Sequence, residues 1–120
     1  MRYLILIAGD EEASLQIPKE EGEQIVAAYM KYPEELTRAG VLLGGEALHP
    51  TARGARVTAV GGKRRVTDGP FSECKELIGG YFLIQVKSRE EALEWAARCP
   101  AAQFPRSFVE VREVIEFSNG

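Results

Sequence analysis

The order of hydrophobic segments in this chain predicts two strand–helix–strand units with a β-hairpin between them. Segments of strand length lie at residues 2–8, 41–48, 55–59, 63–66, 81–86 and 107–117. One helix begins after Pro18, and the second begins at Ser88 and ends before Pro100. Two such units predict an α+β protomer whose antiparallel, ferredoxin-like sheet carries both helices on one face.

The first helix has a proline inside its apolar pattern. Apolar side chains recur at three- and four-residue steps through this helix, and Pro33 falls among them. Proline lacks a backbone N–H, and its ring clashes with the preceding helical turn. The pattern therefore predicts a kink or a short break near Tyr32. The polar residues 10–17 that precede the helix predict a loop.

The first and fifth strands are apolar on both faces, whereas two helices protect only one face of a sheet. Residues 2–8 form a continuous apolar run, which is typical of a strand that is covered on both sides. The pattern contains no third helix to supply the second covering layer. We therefore expect a homodimer in which the two sheets face each other around a twofold axis, as a dimeric α/β barrel.

Length and charge restrict the class of protein. A chain of 120 residues has the size of one domain, so a single domain over residues 1–120 is expected. The net charge of −3 argues against a nucleic-acid-binding surface. The basic residues that cluster in the hairpin are explained as protection of its exposed edge against strand pairing. They are Arg53, Arg56, Lys63, Arg64 and Arg65.

Targeting signals and metal ligands are scarce. The apolar N-terminal run is too short for a signal peptide, and no run reaches membrane-spanning length. A cytoplasmic location without membrane contact is therefore expected. Two separated cysteines and one histidine are too few for a disulfide framework or a structural metal site. No cofactor is predicted.

Residues 66–86 combine a sharp corner, a charged stretch and a glycine pair. The corner is Asp68-Gly69-Pro70, the charged residues are Glu73, Lys75 and Glu76, and the pair is Gly79-Gly80. Such a segment is a shaped loop, because glycine and proline each restrict where the backbone can turn. If the loop covers a cavity, burial would raise the pKa of Asp68 and suit it to general-base catalysis. The alternative is an Asx-type turn, in which the Asp68 carboxylate accepts from nearby backbone N–H groups.

Four further side chains are assigned to the candidate site. Glu73 would supply a second catalytic carboxylate or a substrate anchor, and Glu46, His49 and Tyr81 would bind a ligand. Glu46 and His49 end the second strand, where we expect them to meet Asp68 in a polar cluster that moves a proton. Alternatively, Glu73 forms a surface ion pair, His49 lies on a rim without a role, and Tyr81 belongs to a dimer core.

The motifs of this chain match those of a known family. The central block contains Thr67-Asp68-Gly69-Pro70-Phe71, Glu73, Lys75-Glu76 and Gly79-Gly80-Tyr81. Further matching segments are Gly9-Asp10-Glu11, Ala39-Gly40-Val41-Leu42, Gly45-Glu46 and Glu91-Ala92-Leu93-Glu94-Trp95-Ala96. With these segments the chain resembles, over nearly its whole length, the DGPF branch of the YCII-related family.

The resemblance implies a dimeric α/β barrel of ferredoxin-like protomers. Most members are uncharacterised bacterial proteins, some relatives lie beside or are fused to extracytoplasmic-function sigma factors, and a distant branch removes chloride from a ring-cleavage product. A His–Asp pair has been proposed for YCII proteins proper. His49 lies in a loop where members vary, so that pair is not transferred to this chain.

Two functions follow from the resemblance as expectations. The first is an enzyme-like protein that acts on a small organic acid through a pocket near the dimer interface. The second is a non-catalytic module that binds a metabolite or a protein partner in sigma-factor signalling. An enclosed Asp68 with a raised pKa would favour the first function, and an open Asp68 bonded to its own turn would favour the second.

Overall fold

The computed structural model describes residues 1–117 and contains a four-stranded sheet, a separate two-stranded sheet and three α-helices. The strands are β1 (Arg2–Gly9), β2 (Leu42–Ala47), β3 (Ala55–Val60), β4 (Lys63–Asp68), β5 (Leu77–Gln85) and β6 (Ser107–Glu113). The helices are α1 (Glu11–Ser14), α2 (Lys19–Arg38) and α3 (Arg89–Arg98), and short 3₁₀ turns lie at Thr51–Arg53 and Pro100–Ala102. None of the helices in residues 1–117 has the length and apolar character needed to cross a membrane.

The main sheet has the strand order β2-β5-β1-β6, and all of its neighbours are antiparallel. In this order the two strand–helix–strand units interleave, which is consistent with a ferredoxin-like fold. The hairpin β3–β4 is inserted between β2 and β5 and forms a sheet of its own. The predicted α+β class and the antiparallel sheet are therefore confirmed.

Two local predictions differ from the structure. The segment predicted as a polar loop contains α1, which begins because the Asp10 carboxylate accepts a hydrogen bond of 3.1 Å from the Ala13 N–H. Helix α2 runs through Pro33 without a break, so of the two predicted alternatives, a kink or a short break, the break is not present. Tyr32 donates a hydrogen bond of 2.6 Å to the Trp95 carbonyl oxygen, and Leu36 is fully buried. These contacts on both sides of the proline hold the helix in one piece.

The hydrophobic core lies between the main sheet and α2 and α3. Its fully buried members include Ile5 of β1, Ile84 of β5, Leu36 of α2 and Cys99 after α3, each with 0% of its surface exposed. Helix α3 begins where predicted, because the Ser88 hydroxyl accepts a hydrogen bond of 3.1 Å from a backbone N–H in the first turn. The core thus joins both helices to the same face of the sheet.

The opposite face of the main sheet has an apolar centre that nothing within residues 1–117 covers, and it carries charged side chains on its edge strands, Glu46 on β2 and Glu110 and Arg112 on β6. Strand register places Leu4 and Leu6 of β1 on this face, opposite Leu83 and Tyr81 of β5. These four side chains are half-buried, and none belongs to the core cluster. Phe108 of β6 lies on the same face and is exposed. We call this surface the open face.

The core contains three groups that lose a proton at alkaline pH. Burial raises the pKa of the Cys99 thiol to about 11, and it also raises the pKa of the Tyr29 and Tyr32 hydroxyls. In an unfolded chain the pKa is about 8.5 for a cysteine thiol and about 10 for a tyrosine hydroxyl. The unfolded state therefore releases protons that the folded state keeps, and the free energy of unfolding falls as pH rises.

We expect the urea midpoint of the protein to be flat up to about pH 8 and to fall continuously from about pH 9 to about pH 11. Urea unfolding followed by circular dichroism across this range measures the effect. A Cys99→Ala variant should lose less stability over the same interval, because one of the three titrating groups is gone. A midpoint that stays constant up to pH 11 would contradict the prediction.

Candidate functional site

A cleft of about 270 Å³ opens between α2 and the sheet, next to α1. Its apolar walls include Ile7, Ile25, Tyr29, Leu48, Leu77 and Phe104. Its polar lining includes Glu11, Glu21, His49 and Arg106. A second cleft of about 440 Å³ shares the side chains of Ile7 and Tyr29 with the first. An apolar cavity with a few polar groups on its wall is the common form of a small-molecule site.

Arg106 provides the permanent positive charge on the wall of this cleft. Its Nη1 atom lies 3.0 Å from a carboxylate oxygen of Glu21, an α2 residue. Its other guanidinium N–H groups have no side-chain partner within residues 1–117. Guanidinium donors have a fixed fork geometry that matches a carboxylate. Glu21 therefore holds Arg106 in position, while one edge of the guanidinium is free to bind an anion.

Glu11 connects α1 to the loop that follows β2. One of its carboxylate oxygens accepts from the Thr51 backbone N–H, and the other accepts from the Thr51 hydroxyl at 2.6 Å. The Thr51 hydroxyl oxygen in turn accepts a hydrogen bond of 3.1 Å from the Phe71 N–H. This chain of contacts from Glu11 through Thr51 to Phe71 is called the Thr51 latch. It joins three segments that are distant in sequence.

The Asp-Gly-Pro corner packs directly on the Thr51 latch. The Gly69–Pro70 peptide bond is cis, and the Gly69 N–H donates a hydrogen bond of 2.9 Å to the Gly54 carbonyl oxygen. A Cβ atom at position 69 would overlap the Thr51 carbonyl oxygen. Glycine is therefore required here by the close approach of two backbone segments.

Arg56 of β3 fixes the segment that follows the corner. Its guanidinium lies 4.0 Å from the centre of the Phe71 ring and donates a hydrogen bond of 3.1 Å to the Cys74 sulfur. It also lies 3.7 Å from a carboxylate oxygen of Glu73. Glu73 thus has a basic partner on the hairpin, in agreement with the surface ion pair considered as its alternative role.

The structure places Asp68 at the exposed end of β4, opposite Ala55. It lines neither cleft, and its carboxylate has no hydrogen bond or ion pair with residues 1–117. Neither the buried position nor the Asx-type turn is therefore present in the single chain. The assignment of Asp68 and Glu73 to catalysis stays a prediction.

The three predicted ligand-binding residues lie in two places. Glu46 and Tyr81 are opposite each other on neighbouring strands, on the open face, and Glu46 also lines the second cleft. His49 lines the cleft, and its Nε2 atom lies 2.9 Å from Nη1 of Arg53. Because a guanidinium only donates, Nε2 is the acceptor in this contact. The expected cluster of Glu46 and His49 with Asp68 is not present in the structure of the single chain.

Sequence reasoning missed three residues of the cleft and its surroundings. Glu11 is the first residue of a single-turn helix, too short to give a periodic signal, and it entered only through the family resemblance. Thr51 is an ordinary residue of a turn. Arg106 lies in an irregular segment, so no pattern predicts its proximity to Glu21.

Metal ligands are not grouped in the part of the chain that the structure describes. Within residues 1–117, no three His, Cys, Asp or Glu side chains are close enough together to share an ion. The cleft therefore offers hydrogen bonds, one guanidinium and apolar contact. These are the interactions with which it can hold a ligand.

Comparison with known proteins gives two matches that extend over the whole site. The profile of the family described as the YCII-related domain matches residues 1–118. An uncharacterised protein of Rhizobium meliloti (strain 1021) is 32% identical over 120 residues, which is 100% of this chain and 97% of that protein. The similarity therefore includes the sheet, the helices, the hairpin and every segment that lines the cleft.

Proposed function

The chain belongs to the YCII-related domain family, and we propose that it is a member of the DGPF branch that binds a small organic acid as a homodimer. The observation that supports binding is the apolar cleft with Arg106 on its wall. A small organic acid has an apolar body and a carboxylate. The apolar walls of the cleft would contact the body of the acid, and the guanidinium would bind its carboxylate.

Glu21 lowers the affinity of this site for an anion without occupying all the donors of Arg106. It occupies Nη1 of Arg106 and leaves the other donors for a ligand. The Glu21 carboxylate also lowers the positive potential at Arg106, so an anionic ligand would bind more weakly than at an isolated guanidinium. Removing the charge of Glu21 should therefore strengthen binding, and removing that of Arg106 should weaken it.

The open face supports the homodimer. Leu4, Leu6 and Leu83 would remain in contact with water in a single copy, which is unfavourable for a contiguous apolar surface. A second copy, with its sheet stacked about 10 Å away, would cover them and form a dimeric α/β barrel. Strands β1 and β5 contribute to this face and, on the helix side, to the cleft, so the sheet itself would lie between the site and the interface.

Turnover and association with a sigma factor stay predictions. Binding of an acid requires neither Asp68 nor Glu73 to act on it. His49 lies on the cleft wall with its Nε2 atom occupied by Arg53, so its other ring nitrogen is the atom that would move a proton. An enzyme-like activity would therefore be sought on an acid that has first been shown to bind.

We expect Arg106→Gln to weaken the binding of benzoate and phenylacetate by about tenfold or more, because a charge-assisted contact is lost. Chemical-shift titration of the wild-type protein and the variant measures the change. Benzamide, the uncharged counterpart of benzoate, should bind both proteins equally weakly. Glu21→Gln is the matched control, since it breaks the same ion pair but keeps the guanidinium; it should bind benzoate at least as tightly as the wild type.

Two outcomes would contradict a carboxylate site in the cleft. One is equal affinity of the wild-type protein and Arg106→Gln for the acids. The other is wild-type protein that shows no preference for the acids over benzamide, either because it binds none of the acids or because it binds benzamide as tightly as benzoate. Either result would leave the cleft without the ligand class that its lining indicates.

A further inference from the structure

The hairpin of β3 and β4, here called the arm, is exposed on both of its faces. All six residues of each strand are exposed, and Val57, Val60 and Val66 have 61%, 79% and 48% of their surface in contact with solvent. Along β3, small or apolar side chains alternate with polar ones, a pattern that predicts a half-buried strand, yet neither face is buried in the single chain. A two-stranded hairpin alone is marginally stable in water. A surface that covers the arm would therefore stabilise it, and residues 1–117 supply none.

The dimensions of the molecule agree with an arm that stands away from the body. The Cα radius of gyration is 16.4 Å, and the principal extents are 52 × 43 × 18 Å. A compact chain of this length would have a radius of gyration of about 14 Å. The contacts that hold the arm, from Arg56 to Phe71, Glu73 and Cys74, lie at its base.

The two faces of the arm differ in chemistry. The apolar face carries Ala55, Val57, Ala59 and Val66, with Asp68 at the base and Arg64 near the tip. The basic face carries Arg56, Thr58, Val60, Lys63, Arg65 and Thr67. The tip turn has positive φ angles of 61° at Gly61 and 77° at Gly62, as a tight two-residue hairpin turn requires, and it fixes this register.

The apolar face is complementary to itself. If two arms stack face to face and base to tip, a twofold axis passes across the strands at Val57 and Val66. Each valine then lies opposite its own copy. Asp68, at one end, lies opposite Arg64 of the partner subunit, and the symmetry repeats this contact at the other end. Stacked sheets lie about 10 Å apart, a gap that an aspartate and an arginine span together.

We propose that the apolar face of the arm binds the same face of a second copy of this chain, with Asp68 paired to Arg64 of the partner subunit. The charge pattern supports a second copy over other occupants. Asp68 and Arg64 have opposite signs and sit at equal distances from the central valine pair, so one copy supplies the complement that the other lacks. The contact gives Asp68 an ionic partner that it does not have within residues 1–117.

Nucleic acid is the competing occupant of a basic hairpin. It would bind through the basic face, but Arg56 on that face is engaged with Phe71, Glu73 and Cys74. Lys63 and Arg65 remain, on a chain whose net charge is −3. The apolar face offers phosphate groups little, whereas it suits an apolar surface of the same shape. A second copy therefore accounts for the apolar face, and the basic face stays exposed to solvent.

Charge reversal tests the pairing. We expect Asp68→Arg and Arg64→Asp each to raise the dissociation constant between copies by about tenfold or more, since each places like charges opposite one another twice per contact. The double variant Asp68→Arg/Arg64→Asp should return to within about threefold of the wild-type constant. Sedimentation equilibrium measures all four proteins, and circular dichroism establishes that each is folded.

Control variants introduce the same new side chains on the basic face. Thr67→Arg adds the cation next to position 68, and Arg65→Asp reverses the charge next to position 64. Both should associate as the wild type does. Recovery in the double variant would establish that positions 64 and 68 face each other between copies, because the two reversals then compensate.

The results separate arm pairing from the proposed sheet interface. Single reversals that leave association unchanged, or a double variant that does not recover, would overturn arm pairing even if a substitution on the open face dissociates the protein. A different set of results would assign the arm to nucleic acid instead. In that case the wild-type protein binds a mixed-sequence DNA duplex and Arg65→Asp abolishes that binding. The charge reversals at positions 64 and 68 then have no effect on self-association.

Discussion

In an Arg64→Asp background, in which the arms repel one another, Leu6→Glu is expected to convert the proposed homodimer into a monomer and to raise its dissociation constant by at least about 100-fold, which corresponds to about 3 kcal/mol. Leu6 lies in the middle of β1 on the open face, opposite Tyr81 on one side and Glu110 on the other. A carboxylate there would be removed from water next to the carboxylate of Glu110, without a basic partner at either paired position.

Leu15→Glu is the control for this substitution. It makes the same chemical change at a leucine after α1 that is 75% exposed, so the variant should remain dimeric. Light scattering coupled to size-exclusion chromatography gives the mass of both variants. In the Arg64→Asp background, a Leu6→Glu protein that keeps the mass of a dimer, or a parent protein with the mass of a monomer, would refute the sheet-to-sheet interface.

The main sheet could be predicted because its signals are local and repeated. Ile5 and Ile84 lie in uninterrupted apolar runs, and Ser88 is a strong N-cap for α3, with its first-turn hydrogen bond in place. Apolar runs of this kind form buried strands, and this tendency depends little on which distant segments pack against them. The antiparallel order then follows from two strand–helix–strand units of ordinary length.

Features set by distant contacts could not be predicted. Helix α1 is four residues long, and a single turn has little helical tendency of its own without a cap such as Asp10. Pro33 predicts a kink or a short break, and burial of Tyr32 and Leu36 keeps the helix continuous. The pattern of β3 correctly indicates one apolar face, yet the surface that would cover it is not within residues 1–117.

The candidate site shows the same limit. The Asp68-Gly69-Pro70 corner was prominent in the sequence and drew the catalytic assignment to Asp68. In the structure, the close approach of Gly69 to Thr51 explains the shape of that corner without any chemistry. Arg106, the guanidinium on the cleft wall, lies in an irregular segment whose position depends on the packing of the whole chain.

Gly69→Ala is expected to reduce the free energy of unfolding by about 2 to 4 kcal/mol. The added Cβ atom would overlap the carbonyl oxygen of Thr51, which is backbone and cannot rotate away as a side chain does. Relief requires the corner to move from Thr51, and this would break the hydrogen bond from the Phe71 N–H to the Thr51 hydroxyl. Urea unfolding of the variant and the wild type measures the loss.

Gly44→Ala is the matched control, because a Cβ atom at that position would meet no atom within 4 Å. Its free energy of unfolding should remain within about 1 kcal/mol of the wild-type value. The difference between the two variants isolates the cost of crowding Thr51 from the general effect of replacing a glycine. Equal stability of Gly69→Ala and Gly44→Ala would mean that the corner does not rest on the Thr51 latch in solution, and the three segments joined there would then be held by other contacts.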